Sequence, residues 1–130
     1  MRVSDPVTFP VLELRKYEIA AGRRADFDRR IRKVAMPLFR RLRFRLHGYW
    51  AEADNPLIVF YTLTWTDAEE MNARWAEFGT TPEWKKAKVE YDAPGPLVVM
   101  IERHLLRPAI AGPLVPLVAG PAAVWEWERE

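Results

Sequence analysis

Residues 11–19, VLELRKYEI, alternate between the two sides of an extended chain and are rich in β-formers, which predicts a strand closed by a turn at Ala21-Gly22. The period then changes. Phe27, Ile31, Val34, Leu38 and Leu42 recur at spacings of three and four, which predicts a helix with an apolar stripe and its arginines on the other side. Pro37 falls inside this pattern and is expected to kink the helix or end its regular part.

FRLHGYWAEA (44–53) and LIVFYTLTW (57–65) read as two more strands, and ADNP between them supplies the turn of an antiparallel hairpin. Thr66 with Glu69 reads as a capping box opening a second helix whose stripe includes Met71, Trp75 and Phe78. Gly79 is expected to break that helix. Thr81-Pro82 should restart it as cap and first helical position, with Trp84, Ala87 and Tyr91 following. After the APGP turn, LVVMIERHLL (97–106) is a fourth strand. The order β-α-β-β-α-β predicts an α+β, ferredoxin-like fold with an antiparallel sheet.

Such a sheet carries helices on one face only, so its other face needs a cover, and a second copy of the chain is the simplest one. A homodimer is therefore expected. Residues 1–108 form the expected domain. Residues 109–130 are proline-rich and apolar and should form an irregular arm that packs on the body or the partner subunit through Trp125 and Trp127.

Alternation sorts the strands into faces. Glu13, Arg15 and Tyr17 oppose Leu12 and Leu14; Arg45, His47 and Tyr49 oppose Phe44, Leu46 and Trp50; Val59, Tyr61, Leu63 and Trp65 lie together; Met100, Glu102 and His104 alternate with Val99, Ile101 and Arg103. If the apolar faces meet the helices, a polar–aromatic set of Glu13, Arg15, Tyr17, His47, Tyr49, Tyr61, Glu102 and His104 points into the space a second subunit encloses. Its chemistry would be acid–base. A neutral imidazole takes a proton near pH 7, and arginine or tyrosine stabilises the resulting anion. His47, Arg15, Glu102 and His104 are thus the candidate catalytic residues, and Glu13, Tyr17, Tyr49, Tyr61 and Trp65 the candidate substrate contacts. Gly48 should leave room beside His47 for a helix or a ligand.

Composition mainly excludes. There is no cysteine, so a thiol nucleophile, a disulfide framework and a zinc–thiolate site are impossible, and a reducing cytoplasm is the natural setting. The single serine, Ser4, lies far from the strands, and no phosphate loop, HExxH or GxSxG pattern occurs. Two histidines and scattered carboxylates show no metal-ligand spacing, and a lone histidine carries little specificity for haem, so no cofactor is expected. Neither a signal sequence nor a membrane span is read in the chain. The net charge is only +2, but residues 29–45 hold eight of the twenty Lys and Arg. Such a run can bind nucleic acid or anionic lipid; the plainer reading, preferred here, is a solvated helix face.

LELRKYEIAAGRRADF resembles the opening strand, glycine turn and first helix of the NIPSNAP family. GYW in the second strand, the Asp67-led helix, TPEW and the ending ERHLLRP resemble its later landmarks, in order, over residues 11–108. The resemblance implies a dimeric α/β barrel, with two ferredoxin-like subunits packed sheet to sheet and a cavity between each sheet and its helices. Relatives of this wider fold include isomerases, polyketide cyclases, cofactor-free monooxygenases and haem-binding enzymes. Tyr61 stands where the family often has a histidine, and the extension after Pro108 is longer than the family ending. A cofactor-independent acid–base enzyme acting on a small, partly apolar metabolite is the expected function. A non-catalytic binding or scaffolding module is the alternative.

Overall fold

The computed structural model of the chain describes residues 11–109. The expected arm lies outside the described residues, save for Ala109. Strand β1 (Val11–Ile19) leads through the Gly22 turn into helix α1 (Arg24–Arg30), a π-helical turn (Ile31–Ala35) and helix α2 (Met36–Arg41). The hairpin β2 (Arg45–Glu52) and β3 (Asn55–Trp65) follows, then helices α3 (Ala68–Thr80) and α4 (Pro82–Asp92) and strand β4 (Val98–Leu106). The sheet order is β2-β3-β1-β4 with every pair antiparallel, which is the ferredoxin-like arrangement.

Pro37 acts through the turn before it. Lacking an N–H, it cannot bond back four residues, and the chain upstream opens so that Met36 N–H reaches the Ile31 carbonyl five residues back. The wider turn also moves the buried stripe. Phe27, Arg30, Ile31, Ala35, Met36, Leu38 and Phe39 are buried, while Val34 and Leu42 are only partly so.

The next two helices start and stop for local reasons, one of them a residue away from expectation. Asp67, not Thr66, caps α3 by accepting from Glu70 N–H, and the Glu70 carboxylate returns the bond to Thr66 N–H. Helix α3 runs straight through Gly79. One glycine costs a helix only about 1 kcal/mol, whereas Pro82 forbids helical backbone at Thr81, and the helix ends there with ψ 140°. Thr81 then accepts from Trp84 N–H and starts α4, as the sequence suggests.

The helices pack on the face that carries Glu13, Arg15, Tyr17, Tyr61, Leu63 and Trp65, opposite to the expected choice. Register fixes this: Glu13 pairs with Leu63, Arg15 with Tyr61 and Tyr17 with Val59, so the most apolar face of β3 takes these three β1 residues with it. Leu12 and Leu14 lie on the open face. Beneath the helices, Phe39, Phe44, Trp75 and Phe78 form an aromatic cluster with centroid separations of 4.7–5.8 Å.

Candidate functional site

A cavity of about 600 Å³ lies between the helices and the sheet, bounded by α1, the π turn, α3, α4, β1 and the start of β4. Its walls are mostly apolar, with a few convergent polar groups, the make-up of small-molecule sites. The polar groups come from particular strand positions. Arg15 and Tyr17 alternate inward from β1, and Tyr61 enters from the neighbouring strand directly opposite Arg15.

Behind the cavity wall, Glu13 is fully buried and accepts three bonds. Trp65 Nε1 and Trp75 Nε1 each donate to its Oε1 at 2.9 Å, and Arg15 donates to Oε2 at 2.9 Å. Arg15 lies over the Trp75 ring, 4.3 Å from its centroid, and donates from Nε to Tyr17 Oη at 3.0 Å. The chain of contacts ends at Tyr61, whose hydroxyl is 2.8 Å from that of Tyr17 while the two rings stack. Burial and then the neighbouring Tyr17 hydroxyl push the Tyr61 phenol well above its ordinary range, so it is neutral and able to donate. Burial alone would lower the Arg15 pKa, but Tyr61, Tyr17 and Glu13 outweigh it and raise it.

This arrangement leaves a proton to spare. Arg15 occupies an acceptor site on Tyr17, the Tyr17–Tyr61 bond uses one hydroxyl proton, and the second hydroxyl proton has no acceptor among the described residues. Asp92 is the one carboxylate among the described residues lining the cavity. It is held at the end of α4, where Leu97 N–H donates to it and Arg23 bonds the Tyr91 and Gly95 carbonyls.

The expected constellation is thus split between two faces. Arg15, Tyr17 and Tyr61 line the cavity; Glu13 and Trp65 stand behind its wall and orient Arg15. Tyr49 is on the helix side but outside the lining. It stacks on Phe27, donates to Asp28 at 2.5 Å, and burial followed by the Asp28 contact raises its pKa. His47 is on the open face. A β-bulge falls at this residue: Leu46 pairs with Leu63 and Gly48 with Thr62, and His47 Nε2 lies 2.6 Å from Thr64 Oγ1. Burial, and then Arg45, press its pKa from 6.5 to about 4, so the ring is neutral near pH 7. The room expected at Gly48 is taken by Trp50, whose indole lies where a Cβ would be, 2.2 Å from that position.

Glu102 and His104 are on β4 and pair with Lys16 and Leu14 on the open face, both exposed, with Nε2 and Oε2 3.8 Å apart. Strands β2 and β4 are the two sheet edges, so three strand spacings, about 14 Å, separate His47 from His104.

Arg30, Trp84 and Asp92 also line the cavity and were not singled out as site residues. Arg30 carries a readable signal: it is three residues after Phe27 and so in phase with the apolar stripe rather than opposite it. Within the rest of the basic run, Arg29 pairs with Asp26, Arg41 with Glu83 and Arg45 with Glu70. Among the described residues no helix is long and apolar enough to cross a membrane, and no group of three His, Asp or Glu could hold a metal ion.

Fold and site together define a class: a ferredoxin-like α+β domain with a ligand-sized, mostly apolar cavity between sheet and helices. The NIPSNAP family model matches residues 12–113, and the chain belongs to the NIPSNAP family. Among solved structures, a NIPSNAP family protein of Agrobacterium tumefaciens is 19% identical with a TM-score of 0.68, covering 80% of this chain and 97% of its own. An uncharacterised NIPSNAP-like domain protein of Burkholderia xenovorans is 24% identical, also at 0.68, over 86% of this chain and 97% of its own. The same fold recurs at a TM-score of 0.58 in SnoaB, a cofactor-independent oxygenase of Streptomyces nogalater, 19% identical over 82% of this chain and all of its own. At these identities the likeness shows the fold alone. No curated protein matches the chain.

Proposed function

We propose that this NIPSNAP protein is a cofactor-independent acid–base enzyme that binds a small, partly apolar carbonyl or phenolic metabolite in the cavity between sheet and helices. The observation that carries the reading is the Arg15–Tyr17–Tyr61 cluster on the cavity wall, with its uncommitted hydroxyl proton. A substrate oxygen placed against that hydroxyl would receive a hydrogen bond as it gains charge, with the Arg15 guanidinium close behind. Asp92 is the proton acceptor facing the same space. Removal of a proton next to the carbonyl then gives an enolate. Isomerisation, cyclisation, elimination and reaction with dioxygen all proceed from such an anion, and the oxygenase SnoaB shares the fold.

A histidine-ligated haem is not part of this reading, since both histidines lie on the other face of the sheet. For the same reason His47, Glu102 and His104 are left out of the reaction. The protein works as a homodimer, supported by the apolar residues of its open face and of β4, and a cytoplasmic setting is supported by the absence of cysteine.

The test needs no knowledge of the natural substrate. In D2O, the chain should catalyse deuterium exchange next to the carbonyl of an aromatic ketone such as 2-tetralone, followed by proton NMR. Tyr17→Phe and Tyr61→Phe should slow exchange about 100-fold while the proteins stay folded. Ketone binding without exchange above the buffer rate would instead make the chain a non-catalytic binding module.

A further inference from the structure

Arg30 is a buried charged side chain in the cavity wall that no ion pair or hydrogen bond among the described residues holds. It is 6% exposed, its Nε has no hydrogen-bonding partner among the described residues, and no carboxylate there forms an ion pair with it. What holds it is aromatic. The guanidinium carbon lies 4.9 Å from the Trp84 ring centroid and 5.6 Å from that of Phe27, a cation–π setting that satisfies the flat faces but none of the N–H edges. Burial lowers its pKa from the ordinary arginine value, with Asp92 opposing.

Arg15 makes the contrast. It enters the same cavity with Glu13 bonded to it, so that pair is close to neutral. Arg30 feels Asp92 across the cavity but makes no bonded pair with it, which leaves a buried guanidinium under-compensated, and its planar set of N–H groups matches the two oxygens of a carboxylate or the oxygens of a sulfonate. The chain places it there deliberately. Arg30 closes α1, and the π turn that begins at the next residue turns Ile31 and Ala35 onto the same wall.

We infer that Arg30 is an anion-recognition residue and that the ligand of this cavity is an aromatic or polycyclic molecule bearing one carboxylate or sulfonate-type group, seated against Arg30 between Trp84 and Phe27. Phe27 touches both parts of the wall, its ring centroid 5.4 Å from that of Tyr17 and 5.6 Å from the Arg30 guanidinium carbon, so the acidic group shares a wall with the hydroxyl pair. The inference rests on the cavity being a ligand site, as proposed above, and adds the charge of the ligand.

The matched probes 8-anilino-1-naphthalenesulfonate and N-phenyl-1-naphthylamine test it, since they share a scaffold and differ in the anion. Both gain fluorescence on burial. The wild-type chain should bind the sulfonate at least tenfold more tightly than the neutral amine. Arg30→Met should abolish that preference while keeping the amine's affinity within about twofold, since a methionine suits the apolar wall. Arg30→Lys, which keeps the charge and loses the planar fork, should retain part of it. Arg32→Met, on the exposed side of the same turn, should change nothing. Equal binding of both probes by wild type, or a preference that survives Arg30→Met, overturns the inference and leaves the cavity reading intact. If neither probe binds, the cavity reading falls and takes the inference with it.

Discussion

Glu13 places a carboxyl group in a layer of tryptophan and leucine because both of its oxygens are used. Two indoles and a guanidinium converge on it, and such fully satisfied polar groups are tolerated inside proteins where a lone carboxylate is not. His47 makes the opposite compromise. It is held neutral by burial and by Arg45, with its pKa near 4 against 6.5 in the unfolded chain. Above pH 6.5 both states carry the neutral ring and the site has no effect on stability. As pH falls from 6.5 towards 4, only the unfolded chain takes the proton, so the folded state is progressively destabilised; below about 4 the penalty levels off. The interval corresponds to at most about 3.4 kcal/mol at about 1.36 kcal/mol per pH unit, and solvent screening at this half-open position reduces it to about 1–2 kcal/mol. His47→Gln should flatten that part of the curve in urea titrations run from pH 7 to pH 4. A mutant whose stability falls as steeply as the wild type would place the acid sensitivity elsewhere.

The elements follow their local signals closely, and what escapes the sequence is which way each one faces. All four strands and the cap at Thr81 are legible from alternation and turn residues, since these depend on neighbours in the chain. The face of β1 is not. Leu12 and Leu14 are more apolar than Glu13 and Arg15, and a rule that buries the greasier side selects them; the pairing of Glu13 with Leu63 and the two indoles that satisfy its carboxylate are long-range facts. The bulge at His47 and the π turn after Arg30 each insert a phase change that no fixed period contains. For the same reason the cavity residues Arg15, Tyr17 and Tyr61 are legible as a polar–aromatic group, while their separation from His47, Glu102 and His104 is not. Helix α3 offers a clean check of the local rules. Asp67→Ala removes the acceptor for Glu70 N–H and should cost about 1 kcal/mol in urea unfolding, whereas Asp67→Asn should cost a few tenths. Equal losses in the two variants would mean that the carboxylate charge, and not the cap bond, matters there.

At the scale of the whole molecule the open sheet face is the unfinished part. It presents Leu12, Leu14, Phe60 and the half-exposed Trp50, and β4 exposes apolar side chains on both of its sides, Met100 and Leu106 on one and Ile101 and Leu105 on the other. Contiguous apolar surface of this kind marks an association face. Light scattering at micromolar concentration should therefore give about twice the chain mass of 15.2 kDa, and Leu14→Glu, facing outward from the middle of the sheet, should shift the chain to monomer. A wild-type monomer at those concentrations would leave the face to some other cover.

Strand β4 belongs to two surfaces at once. Val99, Met100 and Ile101 line one side of the cavity, and the same residues are among the exposed large apolar side chains of the described residues, on an edge strand with a single neighbour. A partner docked on that edge and a ligand in the cavity would therefore meet the same three residues. If copies associate through that edge, the two equilibria are linked and reciprocal: a ligand that binds more tightly to the associated form also strengthens association, and dilution that separates copies then loosens the ligand. Occupancy of the cavity would thereby report how much of the protein is present as well as how much ligand.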